Sequence, residues 1–308
     1  MKIFITGGSG LLGSALSFEL IKKHKVINGY HSNRIDIKNN NFSSVPIDIT
    51  KIGSLKVIEK ISPDVIIHAA SLTDLEFCEK NPKLAHEVNV KGTENVLSVA
   101  KKCGAKIVYI CTDYIFDGER GNYSERDKPN PLSIYARSKL NGEEIIRERH
   151  DNFISIRTSL YGWSPTSKKP SLSSWIINSL KDGKEIFLVT DQFSSLMFAS
   201  DLAKALVEML ERDLIGIYHV ASANSMSRYD FALGIADVFD LDQDLIKPIS
   251  FSSFIERFSP MASRPQNVSL NVSKIESELG REMPTISAGI FLMKEKEDKF
   301  KKNVRWGE

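Results

Sequence analysis

Ile3-Phe4-Ile5-Thr6-Gly7-Gly8-Ser9-Gly10-Leu11-Leu12-Gly13 is the stretch that decides the fold of this chain. A short apolar run breaks at a glycine turn, and a helical stretch opens directly after it. Gly7, Gly10 and Gly13 stand in a GxxGxxG register between strand and helix, the context in which such a match carries information. Gly7 makes the turn, Gly10 lets the backbone approach a diphosphate, and Gly13 lets helix and strand pack closely. The amides from Ser9 through Leu11 and Leu12 would then face an anion at a helix N-terminus. A tight turn with no ligand would carry the same glycines, so the reading needs chemistry from elsewhere in the chain.

Working outward, Lys2 to Thr6, Lys25 to Tyr30, Asp64 to Ala70, Lys106 to Thr112 and Phe153 to Arg157 read as strands rich in Ile and Val. Several are apolar throughout, as strands covered on both faces of a parallel sheet are. Between them lie helical stretches; one opens at Asn81-Pro82 and closes at Cys103-Gly104. Repeated βα units predict an α/β, Rossmann-like doubly wound parallel sheet. Residues 1–160 are expected to form this dinucleotide-binding domain. Residues 161–308 are expected to form mostly a smaller substrate-binding lobe, with some segments returning to the sheet. In that half, helices are predicted over Ser173 to Lys181, Ser200 to Arg212 and Ser227 to Phe239, with strands at Glu185 to Val189 and Ile217 to Val220. Trp163 to Leu172, with Pro165 and Pro170, reads as a flexible segment near the ligand. The mixed charges from Lys294 to Lys302 read as a solvated helix end or tail.

The bulk properties of the 308 residues narrow the function. Hydrophobic content of 42% and charged content of 26% suit a globular protein. A net charge of +2, from 41 basic and 39 acidic residues, gives no reason to expect nucleic acid as partner. No apolar run approaches the roughly 18 residues that span a bilayer, and the first strand runs too soon into its turn for a signal peptide. A cytoplasmic protein without a membrane partner is expected. Cys78, Cys103 and Cys111 are odd in number and lack ligand spacing, and the six histidines are scattered, so no metal is expected.

The second motif is Tyr135-Ala136-Arg137-Ser138-Lys139. A phenol and an ammonium four residues apart share one helix face. Free tyrosine has a pKa of about 10 and is a poor acid–base catalyst near neutrality. A neighbouring ammonium favours the phenolate; lowering the pKa by roughly three units takes about 4 kcal/mol. The spacing is common by chance, and its place after a strand ending at Thr112 gives it weight. The segment Cys111-Thr112-Asp113-Tyr114-Ile115-Phe116-Asp117-Gly118 stands at that strand's carboxyl end, where open α/β sheets bind ligands. The Thr112 hydroxyl is suited to a carbonyl oxygen on which charge develops. Asp113 is suited to a sugar hydroxyl, or alternatively to capping the turn that follows. At the end of the second strand there is no carboxylate until Asp36. Arg34, with His31 and Ser32, can instead pair with a 2′-phosphate, which favours NADPH, with NADH as the alternative. Asp48 and Ile49, ending the third strand, are placed to meet the adenine.

On these motifs the chain resembles the extended short-chain dehydrogenase/reductases, and among them the dTDP-4-dehydrorhamnose reductase group. The resemblance rests on TGGSGLLG, His68-Ala69-Ala70-Ser71, CTDYIFDG and Tyr135 with Lys139. Asp48-Ile49-Thr50, Asn89, Pro131, Gly142-Glu143, Arg157-Thr158-Ser159 and Arg264-Pro265 also fit. It extends to about Gly280. It implies that Ala69, Ala70 and Ser71 line the cofactor and that Arg264 contacts substrate. It further implies hydride transfer to the C4 ketone of a nucleotide-linked deoxysugar, with Tyr135 as proton donor, Lys139 tuning it and gripping the nicotinamide ribose, and Thr112 orienting the ketone. Family members are often homodimers. Dehydratases of the wider superfamily carry Asp-Glu after the Thr; here Tyr114 follows Asp113, which argues for simple reduction. Leu160 stands where the group usually has Trp, and Leu196-Met197 where it has Pro-Thr, so the identity of the sugar stays open.

Two alternatives remain at this level. The regulatory β subunit of methionine adenosyltransferase has a similar pattern, including Ser227-Arg228-Tyr229 and Arg264-Pro265-Gln266-Asn267, and would imply bound NADP and a protein partner without turnover. A sugar-nucleotide epimerase, or a reductase for another 4-keto sugar such as a talose or fucose precursor, would share every catalytic residue. His68 and His219 read as structural and the cysteines as small apolar residues. Phe231, Ile235 and Val238 read as core. Trp163 reads either as a stacking platform for base or sugar or as a side chain packed on the lobe.

Overall fold

The computed structural model describes residues 1–163, 170–297 and 305–306. Seven strands form one sheet: β1 (Lys2–Thr6), β2 (Lys25–Tyr30), β3 (Phe42–Pro46), β4 (Val65–His68), β5 (Lys106–Thr112), β6 (Phe153–Thr158) and β7 (Gly216–His219). Their spatial order is β7-β6-β5-β4-β1-β2-β3, and every neighbouring pair is parallel. The order reverses between β1 and β4, which opens a crevice at the carboxyl ends of those strands. The uniform apolarity of the central strands has its cause here. Ile3, Phe4, Ile5, Ile66, Ile67, Ile107, Val108, Ile154 and Ile156 are all buried, because helices cover both faces.

The third strand ends earlier than the sequence suggested. It stops at Pro46, and Asp48 instead heads a turn, accepting hydrogen bonds from the Thr50 amide at 3.0 Å and the Thr50 hydroxyl at 2.7 Å. Its pairing with β2 closes with the Ile47 amide donating to the Tyr30 carbonyl at 2.8 Å, and β3 is the sheet's edge, where a proline is tolerated. The helical stretch from Pro82 to Cys103 stops on Gly104 in the left-handed region, but it holds a π-helical turn over Glu87–Lys91. That turn carries the buried Asn89.

In the second half, helices run over Leu172–Lys181, Ala199–Glu211 and Arg228–Val238, within a residue of expectation. The strand expected at Ile217 to Val220 is β7 and pairs with β6, in register His219↔Arg157. Ile186–Val189 pairs in parallel with Ile246–Ile249 in a separate two-stranded sheet. A second apolar cluster gathers Tyr161, Ile176, Phe198, Phe231, Ile235 and Ile290, apart from the core around the large sheet. Trp163 packs into this lobe: its indole N–H donates to the Met293 carbonyl at 3.0 Å and its ring meets Phe239 edge-on. The rest of the proline-punctuated segment through residue 169 lies outside the described residues, as does the charged tail from residue 298. The backbone of Arg305–Trp306 pairs antiparallel with Ile35–Asp36, beside Arg34. Among the described residues no helix is long and apolar enough to cross a membrane.

Candidate active site

The glycine turn forms because the side chains it lacks would have no room. Gly7 has φ +65°, and a Cβ on Gly13 would lie 2.4 Å from the Gly7 carbonyl oxygen. The helix Leu11–Leu20 therefore starts directly against the turn. Its N-cap, Gly10, offers no side chain to the first amides, and its first turn carries no acid. An N-terminus without its own cap is free for an external anion.

Thr112 closes β5, and its hydroxyl accepts from the Tyr114 amide at 3.2 Å. Tyr135 and Lys139 lie in the first turns of the helix Ile134–Arg149, whose start is set by Ser133 accepting from the Ala136 amide. One cleft of about 390 Å³ joins the two motifs: its lining includes Gly7, Gly10, Leu11, Leu12 and Gly13 at one end and Thr112, Tyr135 and Lys139 at the other. Ala69, Ser71, Thr73, Ile110, Cys111 and Thr158 complete its walls, with Ser159 and Leu160 where the chain leaves the sheet. The Thr158 hydroxyl is buried there with no hydrogen-bond partner.

Not every expected residue reaches this lining. Ser9 and Ala70 belong to the turns beside it, and the Ala70 amide donates to Thr6 Oγ1 at 3.2 Å. His31 and Arg34 lie exposed past β2. His31 Nδ1 is 2.9 Å from the Ser32 hydroxyl, and Arg34 is only loosely paired with Asp36 at 3.9 Å, so its guanidinium is available to a phosphate. Ile49 is buried against Gly92. Asp113 lies behind Thr112, whose hydroxyl donates to its Oδ1 at 3.2 Å. Arg264 meets Glu76, an acid that sequence reasoning did not single out, at 2.7 Å. The pair ties the short helix Leu75–Lys80, which follows β4, to the C-terminal half, and nothing local in the sequence announces it.

Desolvation governs the site's titration. It pushes the Tyr135 phenol above its usual value, with the Thr112 hydroxyl acting against it. Burial pulls the Lys139 ammonium down to about 8, with Cys111 and Glu143 acting against it. Asp113 is pushed up to about 7 by burial, opposed by Arg228 and Thr112. At neutral pH Tyr135 is therefore a neutral phenol, not the lowered one that its spacing from Lys139 predicts, and it shares the cleft with a lysine whose proton affinity burial weakens. His68 plays a structural part: Nδ1 lies 2.7 Å from Thr6 Oγ1 and Nε2 lies 3.0 Å from Thr93 Oγ1. His219 Nδ1 lies 2.9 Å from the Tyr123 carbonyl.

A model of the RmlD substrate binding domain matches residues 1–297. The chain belongs to the RmlD family. A probable low-salt glycan biosynthesis reductase of Haloferax volcanii is 33% identical over 291 residues, covering 93% of this chain and 95% of that protein. The crystal structure of dTDP-4-dehydrorhamnose reductase from Bacillus anthracis, in complex with NADP, superposes with a TM-score of 0.82 at 31% identity. It covers 96% of this chain and all of that one. The β subunit of methionine adenosyltransferase 2 of Rattus norvegicus is 28% identical over 284 residues, covering 90% of this chain and 82% of that protein. The family and the Rossmann-like fold expected from the motifs are those found.

Proposed function

We propose that this protein is an NADPH-dependent reductase acting on the C4 ketone of a nucleotide-linked deoxysugar. The observation that carries the reading is the single cleft holding both the uncapped glycine turn and the Thr112, Tyr135 and Lys139 side chains. The turn suits the cofactor diphosphate, and the exposed Arg34, with His31, suits the 2′-phosphate. When bound, NADPH supplies the hydride. Thr112 orients the ketone oxygen and Tyr135 gives that oxygen its proton. Lys139 holds positive charge beside the phenolate left behind and grips the nicotinamide ribose. Asp113, close behind Thr112, and Arg264, if freed from Glu76, are the residues we assign to the sugar nucleotide. The half of the chain from residue 161 supplies most of the substrate side.

A regulatory role is the second reading, favoured by the methionine adenosyltransferase relative. The two separate on one assay: NADPH consumption across a panel of 4-keto sugar nucleotides, including dTDP-4-dehydro-6-deoxy-L-mannose. Turnover with any member supports the reductase. Tight NADPH binding without turnover on any of them would favour a binding subunit and redirect the search to a protein partner.

A further inference from the structure

The Lys139 ammonium lies 4.2 Å from the centre of the Tyr109 ring. Tyr109 is fully buried on β5, two residues before Cys111, so both side chains project from the same face of the strand. Its hydroxyl donates to the Lys139 carbonyl oxygen at 3.0 Å. One side chain therefore holds Lys139 at both ends: the hydroxyl pins the helix backbone, and the ring lies beneath the charged tip. The helix makes room for this. A Cβ at Gly142 would stand 2.4 Å from the Tyr109 hydroxyl, so any larger residue there would force the ring away.

The groups facing Lys139 explain why a ring matters at this place. Glu143 and Cys111 are the groups that raise its proton affinity, against burial. Yet Glu143 is committed to Arg157, which takes both its oxygens with Nε at 3.1 and 3.2 Å and Nη2 at 2.6 Å. Burial keeps the Cys111 thiol protonated across the neutral range. From β4, His68 is neutral, held down by burial and by Lys139 itself. Tyr135, on the same helix, is a neutral phenol. A desolvated cation with no carboxylate of its own gains most from the negative face of an aromatic ring.

We propose that Tyr109 is a positioning residue of this site: its ring face keeps the Lys139 ammonium charged and aimed into the cleft, and its hydroxyl fixes the helical turn that carries it. The consequence for turnover rests on the reductase reading; the contact itself does not.

The test uses full-length protein with isotope-labelled lysine, and Lys139→Arg identifies the Lys139 side-chain resonance. In the native protein the protons next to the ammonium are shifted upfield by the ring current. Tyr109→Leu removes that shift and lowers the Lys139 titration midpoint by about one unit. Tyr109→Phe restores both, because the ring is kept. If Tyr109→Leu does not fold, fluorinated phenylalanines at position 109 preserve shape while draining the ring face, and the midpoint falls stepwise with fluorine content. In turnover, the alkaline loss of kcat moves down with the midpoint while KM for the sugar nucleotide stays within about twofold. An unshifted native resonance would overturn the proposal, as would a midpoint indifferent to the ring in folded variants. Because the resonance is read without substrate, failure of the reductase reading leaves it standing, and its failure leaves the reductase reading intact.

Discussion

Glu143 and Arg157 form a buried bidentate ion pair between the Ile134–Arg149 helix and β6, and Ser155 donates a further hydrogen bond to Glu143 at 2.7 Å. The pair lies one helical turn beyond Lys139, so it fixes the helix against the sheet where the proposed proton donor and its cation are mounted. Arg157 Nη1 has no partner of its own, which leaves the guanidinium dependent on this one carboxylate. Glu143→Ala strands a buried cation and is expected to cost about 3–5 kcal/mol. Urea unfolding measures this directly; a loss below about 1 kcal/mol would show that the pair is not what secures the helix.

Asp113 should leave a mark on stability against pH. Its carboxyl is raised from the ordinary carboxylate range to about 7, so between those values the folded chain holds a proton that the unfolded chain has released. The folded state binds more protons there, so this group's contribution to stability falls as pH rises from about 4 to 7. Asp113→Asn removes the ionisation. The variant should gain on the native protein, on the order of a few kcal/mol, when unfolding is compared at pH 8 and pH 5. An unchanged difference between the two pH values would place Asp113 in a wetter setting than the one described.

His68 and His219 act in the opposite sense. Both are held neutral by burial, with pKa values lowered to about 3. Between 3 and the ordinary value of 6.5 the unfolded chain binds the extra protons, so stability drops as pH falls through that window. His68→Gln should flatten part of this acid loss in thermal unfolding between pH 6.5 and 4. The same acid slope in variant and native protein would count against the buried neutral histidine.

Gly13 separates cofactor binding from catalysis. A Cβ there would sit 2.4 to 2.7 Å from the backbone of Gly7 and Gly8, which has no flexible end to give way. Gly13→Ala must push the first helix off the turn, and NADPH affinity measured by fluorescence titration should fall by about tenfold or more, roughly 1.4 kcal/mol. Native affinity would mean that the turn is not the diphosphate seat.

Much of this was legible in local sequence because local physics sets it. The strand, the left-handed Gly7 and the helix start are neighbours in the chain, and Tyr135 and Lys139 stand one helical turn apart and line the same cleft. What escaped is long-range or weakly patterned. Strand β3, Phe-Ser-Ser-Val-Pro, lies at a polar edge where burial imposes little alternation, so its pattern does not mark where it ends. The π turn at Glu87–Lys91 carries Asn89, whose amide reaches the Leu72 carbonyl and the Ser138 hydroxyl of distant segments. The Glu76–Arg264 pair and the Tyr109 ring under Lys139 join residues that only the folded sheet brings together.

The central claim, that Tyr135 donates the proton in a reduction, is tested by Tyr135→Phe assayed with NADPH and a 4-keto sugar nucleotide that the native protein turns over. Loss of one hydroxyl should cut kcat by about 10²–10⁴-fold while NADPH binding stays nearly unchanged. Retained turnover in that variant would contradict the account.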